Sequence, residues 1–163
     1  MPVRAYGPPA AVGEGAAIAG EEVAMFEART QRVMEALGRK DLAAVMRPWA
    51  DDGVLEFMGH NRLSGRYEGK AAVSRFFQQV MDGLESLDIE VRHVAMANPA
   101  GLTWNNTIYV EYEVEETNRA GVTIRDERIG VFQYRHGKVV SMREWAFDPT
   151  NVERILQATA PVH

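Results

Sequence analysis

Glu144 is the side chain whose neighbours in sequence most clearly promise chemistry. It stands between Met142 and Ala146 in a stretch, Lys138 to Phe147, that alternates as a β-strand does, so these three residues share a face. A carboxyl group among apolar side chains is poorly solvated as an ion, and its pKa is expected to rise. A glutamate brought toward neutrality in this way can give or take a proton near pH 7, provided a substrate proton lies within hydrogen-bond reach. The plainer alternative is a Glu144 turned slightly off that face, or paired with a cation such as Arg128, that only satisfies the fold.

Tyr112 is the second candidate. From the same face, diagonal to Glu144, its phenol could steady a carbonyl or enolate oxygen, although such a tyrosine is more often core with its hydroxyl at the rim. His93 and Asn106 face one another in the expected register and could hold a polar end of a ligand, or form a satisfied pair at the rim. Glu56 and His60 flank the end of a short strand; they are either a second acid/base pair or a solvated strand residue and a turn residue.

Other chemistries lack their residues. His60, His93, His136 and His163 lie in separate segments without ligand spacing, so no metal site is expected. The chain has no cysteine, which removes thiolate nucleophiles, thiolate metal sites and disulfides. Gly13-Glu14-Gly15 precedes no strand-to-helix turn of the phosphate-binding kind, and no cofactor is expected. A net charge of −5 without a run of Lys and Arg argues against nucleic acid as a partner. No segment approaches the length of a membrane span, and the first twenty residues have no basic region followed by a long apolar stretch. The expectation is a flexible leader over residues 1–20, a cytoplasmic domain over 21–158 and a tail over 159–163.

The elements that must position these groups follow from periodicity. Val23, Phe26, Val33, Met34 and Leu37 recur at helical spacing from Glu21 to Leu37. Asp41 is placed to cap a shorter helix carrying Leu42, Val45 and Met46, stopped by Pro48. A strand from Val54 to Met58 and a turn-rich stretch from Gly59 to Gly69 precede a helix marked by Ala72, Val73, Phe76, Phe77, Val80 and Met81. The period then changes to two. Leu87, Ile89 and Val91 open a strand, Asn98 to Gly101 turns the chain, and a long strand runs from Leu102 to about Glu116. After a turn at Asn118 to Gly121, strands from Val122 to Arg135 and from Lys138 to Phe147 meet at His136-Gly137. Asp148-Pro149 signals a terminal helix with Val152, Ile155 and Leu156 on its apolar side.

Helices first and a meander afterwards make an α+β fold in which the helices cover one sheet face. If each turn is tight and centred, Ile89, Val110, Ile129 and Glu144 form one row on that face. Val91, Ile108, Val131 and Met142 form the next, with Leu87, Tyr112, Glu127 and Ala146 on the other side. Glu90, Glu111, Arg128 and Arg143 then lie on the opposite, solvated or subunit-facing surface. Phe26, Phe57 and Phe76 from the preceding elements, with Ile108, Val110, Ile129 and Met142, are the expected pocket wall.

The run Gly130-Val131-Phe132-Gln133, Gly137-Lys138-Val139 and Arg143-Glu144-Trp145, followed by Asp148-Pro149, resembles the carboxy-terminal signature of the nuclear transport factor two and ketosteroid isomerase superfamily. Trp49 to Val54 and Gly69 to Phe77 resemble its other recurring stretches. The likeness spans about residues 21 to 158 and is strongest to SnoaL-like proteins, a group that includes polyketide cyclases, phenazine-biosynthesis proteins and, more distantly, limonene epoxide hydrolases.

The resemblance implies a cone-shaped curved sheet wrapped on three helices, a small apolar ligand and a homodimer. It puts Glu144 where the cyclases and epoxide hydrolases carry a catalytic aspartate and the phenazine proteins a glutamate. It also sets the first short strand, with Glu56 and His60, beside the last one. The departures count too: Leu55 and Phe57 stand where the epoxide hydrolases need a Tyr and an Asn, and their Arg and second Asp fall near Tyr109 and Glu111. The functional expectation is cofactor-free acid/base catalysis of the isomerase, cyclase or lyase type, with Glu144 as base and Tyr112, His60 or Glu56 steadying an enolate. The alternatives are an epoxide hydrolase, and a binding or dimerisation module without catalysis.

Overall fold

In the computed structural model, which describes residues 14–98 and 105–157, the chain runs through α1 (Glu14–Gly38), α2 (Leu42–Met46), β1 (Trp49–Phe57), β2 (Gly65–Glu68) and α3 (Lys70–Gly83). It continues through β3 (Leu84–Met96), β4 (Asn106–Asn118), β5 (Thr123–Arg135), β6 (Lys138–Ala146) and α4 (Pro149–Gln157). The strands form one sheet in the order β2-β1-β6-β5-β4-β3. Only β1 and β6 pair parallel; β3 to β6 form the antiparallel meander that the alternation predicts.

The helices lie on one sheet face because their apolar stripes match its apolar side. Val45 and Met46 of α2 and Val73, Phe76 and Phe77 of α3 pack with Leu55, Phe57, Val139 and Met142. Phe26 and Met34 of α1 pack with Ile89, Ile108, Val110 and Val114. Each such side chain, when fully buried as Phe26 and Leu55 are, contributes about 1.5–3 kcal/mol. Asp41 caps α2 as its position suggests, accepting a bond from Ala44 N at 3.0 Å. Asp148 does the same for the start of α4 through Thr150 N.

Several expectations need correction. The helix α1 begins at Glu14, seven residues ahead of the first amphipathic turn. The stretch Gly59 to Gly69 is not all turn: Gly65–Glu68 adds an edge strand to β1. The turn at Asn98 to Gly101 and the expected start of β4 at Leu102 fall largely outside the described residues. On either side of them, Ala97 N donates to Thr107 O, and β4 begins at Asn106.

The consequential difference is in register. The expected pairing of Val110 with Ile129 and of Ile129 with Glu144 is slipped by one residue: Gly130 stands opposite both Val110 and Glu144. Two local features cause the slip. At the β4–β5 turn, Asn118 Oδ1 accepts bonds from Ala120 N and Val122 N, which draws Val122 into a five-residue loop and makes Thr117–Thr123 the last pair. At the β5–β6 turn, His136 and Gly137 both have positive φ, 49° and 72°, as a tight two-residue hairpin requires. Arg135 and Tyr134 then pair with Lys138 and Val139, after which a bulge shifts the register between Tyr134 and Gln133. A one-residue slip exchanges the faces of a strand. Ile129 and Val131 therefore lie on the outer face, while Asp126, Arg128, Gly130 and Phe132 of β5 turn inward.

Candidate active site

Between the helices and the inner sheet face lies a cavity whose volume open to the centre of a water molecule is about 90 Å³. A single water needs roughly 10–15 Å³ by that measure, so the space suits a small organic molecule. Its walls are largely apolar: Val33, Met34 and Leu37 from α1, Phe76, Phe77 and Val80 from α3, Val152, Ile155 and Leu156 from α4, and Phe57, Val114, Phe132 and Met142 from the sheet. Tyr112, Glu116, Arg128 and Glu144 supply most of its polar side, joined by Arg62 and Gln79.

The inner-facing polar groups form one buried cluster about Arg128. Arg128 Nη2 donates to Glu116 Oε2 at 2.7 Å and Nη1 to Glu144 Oε1 at 3.5 Å, while Nε stands 3.7 Å from Asp126 Oδ2. All four residues are less than 9% exposed. One guanidinium thus faces three carboxyl groups, and full ionisation of all of them would leave two surplus negative charges where water is scarce. Burial raises the pKa of Glu144; the Arg128 cation and a hydrogen bond with Tyr112 pull it down, and the balance remains raised. Burial likewise outweighs Arg128 at Asp126 and raises that carboxyl. Burial opposes the Arg128 cation, but Glu116 and Glu144 beside it more than offset this and keep it ionised. The Tyr112 hydroxyl is pushed well above its ordinary value, first by burial and then by the Glu144 charge, so it stays a phenol and a hydrogen-bond donor.

Gly130 makes the room. It is the cross-strand partner of Glu144 on the inner face, and a Cβ built on it would lie 2.7 Å from the Phe132 ring and 3.5 Å from the Tyr112 ring. The missing side chain is what lets both rings stand beside Glu144.

The residues singled out in the sequence divide into two groups. Glu144 and Tyr112 are brought together in the cavity, with Phe57, Phe76 and Met142 in its wall. Phe26, Ile108 and Val110 are buried on the inner face but pack in the neighbouring core cluster, where Phe26 meets the edge of Tyr134, instead of lining the cavity. Glu56 points to the outer face, bound to Arg66 at 2.5 Å, because it alternates with the buried Leu55 and Phe57. His60 is exposed in the β1–β2 connection. His93 stands opposite Glu111 and not Asn106: the β3–β4 register is four residues off the expected one, with Ile89 opposite Val114 and Val91 opposite Tyr112, and a bulge between Val91 and His93 adds one more and turns His93 to the outer side. Asn106 bonds instead to Asn98 at the far end of the sheet. Ile129 is outward because of the slip in β5.

Sequence reasoning missed Glu116 and Asp126; it offered Arg128 as a pairing partner of Glu144, as found at 3.5 Å, but set it on the wrong face of β5. Glu116 was within reach, for it keeps the parity of Val110, Tyr112 and Val114 along β4. The inward turn of Arg128 and Asp126 was not: the central part of β5 is apolar at Ile129 and Val131, and this pulls the expected inner face to the wrong parity.

Among the described residues no helix is long and apolar enough to cross a membrane. The sequence pattern of the SnoaL-like domain matches residues 30–142, ending two residues before Glu144. No curated protein matches the chain. Solved structures show the same fold at low identity. Bal32a, from a soil-derived mobile gene cassette, is 16% identical with a TM-score of 0.69, over 82% of this chain and 98% of its own. TerC, co-crystallised with polyporic acid, is 17% identical with a TM-score of 0.64, over 79% and 95%. A Catenulispora acidiphila DSM 44928 protein with a ketosteroid isomerase-like fold, in complex with trimethylamine, is 11% identical with a TM-score of 0.57, over 69% and 79%.

Proposed function

The chain belongs to the SnoaL-like domain family, and we propose that within it this protein is an acid/base catalyst that moves a proton next to the carbonyl group of a small, largely apolar molecule. The observation that carries this reading is the Glu144 carboxyl, buried in an otherwise apolar cavity with its pKa raised by that burial and with the Tyr112 phenol beside it. Glu144 takes the proton from the carbon adjacent to the carbonyl. As it becomes neutral it loses its hold on the Tyr112 hydroxyl, which turns to the developing enolate oxygen, and Glu144 then returns the proton to another carbon or to the leaving group. This chemistry requires no cofactor. That TerC shares the fold and was crystallised with polyporic acid supports a small organic ligand in such a cavity.

The test is hydrogen–deuterium exchange of enolisable apolar ketones in D2O. The protein should accelerate it, and Glu144→Gln should abolish the acceleration. Binding without exchange in either protein would instead mark a ligand-capture module.

One observation favours a second reading. Arg128 lies between two cavity carboxyls, Glu116 and Glu144. In an epoxide hydrolase an ionised carboxylate would activate water while a protonated one supplied the epoxide oxygen with a proton. Glu144 keeps the place that the resemblance gives the hydrolases' aspartate, while the second carboxyl would be Glu116, further along β4, and the arginine would come from β5. Oxygen-18 water separates the readings, because only hydrolysis places solvent oxygen in the product.

A further inference from the structure

The two hydrogen bonds of Arg128 are unequal in a direction that the sheet register does not favour. Ala146 and Tyr112 are the cross-strand partners of Arg128. Glu144 is one inner-facing step from Ala146, whereas Glu116 is two such steps from Tyr112. The nearer carboxyl by register is therefore Glu144, yet the guanidinium extends along the strand to Glu116 at 2.7 Å and leaves Glu144 at 3.5 Å. On the other side Arg128 Nε stands 3.7 Å from Asp126 Oδ2 with no hydrogen bond between them, a looser hold than the one on Glu116. Released from Glu116, the guanidinium would have Glu144, already at 3.5 Å, as the carboxyl to close on.

We infer that Glu116 is a positioning residue: by holding Arg128 through the short bond, it keeps that cation from engaging Glu144 fully and leaves the Glu144 carboxyl available to a ligand's proton. The inference rests on the proposed role of Glu144 as the proton-transferring group. The charged and titratable groups about Glu144 are Tyr112 and Glu116 from β4, Asp126 and Arg128 from β5, and Arg62 in the β1–β2 connection. The cavity-lining residues of α1, α3, α4 and β1 contribute no titratable side chain.

The experiment reads Glu144 directly, through the carboxyl-carbon NMR titration of labelled protein, with Glu144→Gln as the assignment control. In Glu116→Gln the Glu144 midpoint should fall by about 1–3 pH units as Arg128 turns to it. Glu116→Asp keeps the negative charge but draws it back by one methylene, and should lower the midpoint by a smaller amount. An unchanged midpoint in both variants would overturn the inference. So would a fall in Glu116→Gln alone, since that pattern means direct charge repulsion between the two glutamates without action through Arg128. If Glu116→Gln does not fold, the Glu116→Asp titration decides by itself. No turnover enters these readouts, so a failure here and a failure of the catalytic reading remain distinguishable.

Discussion

Two clusters of arginine and carboxylate stand back to back on the same strands, three residues apart. On the outer face Glu113 of β4 meets Arg125 of β5 and, at 3.0 Å, Arg92 of β3, which also holds Glu90 at 2.6 Å. On the inner face Glu116 of β4 meets Arg128 of β5, with Glu144 and Asp126 beside it. The residue types are the same and the solvent is not. Outside, two guanidinium groups face two carboxylates in water, and the hydrogen bonds from Arg92 and Arg125 hold Glu113 below its ordinary pKa. Inside, one guanidinium faces three carboxyls shielded from bulk solvent, and burial holds Glu144 and Asp126 above theirs. Charge pairing by itself makes a surface; an unbalanced pairing under an apolar roof raises the pKa of a carboxyl.

The sharpest way to break this contrast is at the carboxylates. Glu144→Gln should lower the rate of proton exchange on a responsive ketone by about 10²–10⁴-fold, the usual worth of a positioned acid/base group. Glu113→Gln should leave it unchanged, and equal losses in the two variants would dissolve the distinction.

The arginines come next, read by urea unfolding. Arg128→Met leaves buried carboxyls without their cation and should cost about 3–5 kcal/mol at pH 7, less at pH 5 where protons replace it. Arg125→Met should leave the urea midpoint indistinguishable from the parent. Between these lies Gly130→Ala, whose added methyl group must displace the Phe132 ring toward the cavity, at about 1–3 kcal/mol.

The smallest expected effect is a pair of opposite pH trends. Glu144 binds its proton more tightly in the folded chain, so what protonation contributes is fully present below the ordinary glutamate value of 4.5 and is lost as pH rises through the folded pKa. Stability of Glu144→Gln relative to the parent should therefore improve as pH rises above 4.5. The contribution of Glu113, whose folded pKa is lowered, is present above 4.5 and is lost as pH falls through that lowered value. Glu113→Gln should accordingly lose its disadvantage in acid. Urea unfolding across the pH range measures both.

The elements were legible wherever one periodicity dominated: α3, β5, β6 and α4 lie close to their expected spans, and Glu144 faces inward as Met142 and Ala146 imply. β2 was not legible, because four residues rich in Gly and charge carry no apolar alternation and become a strand only by pairing with β1. The Glu144–Tyr112 half of the site could be read because both residues interrupt strong apolar strands. That Arg128 and Asp126 share its face could not, because β5 alternates apolar side chains on the face that turns outward.

The sequence by itself determined that a helix layer covers an antiparallel meander and that a carboxyl lies on the covered face, since hydrophobic periods of 3.6 and 2 are local properties of the chain. What company that carboxyl keeps was decided only by the tertiary structure. A side-chain bond in one turn and a bulge beyond another displace β5 by a single residue, and with a period of two that displacement moves Arg128 from water to the side of Glu144.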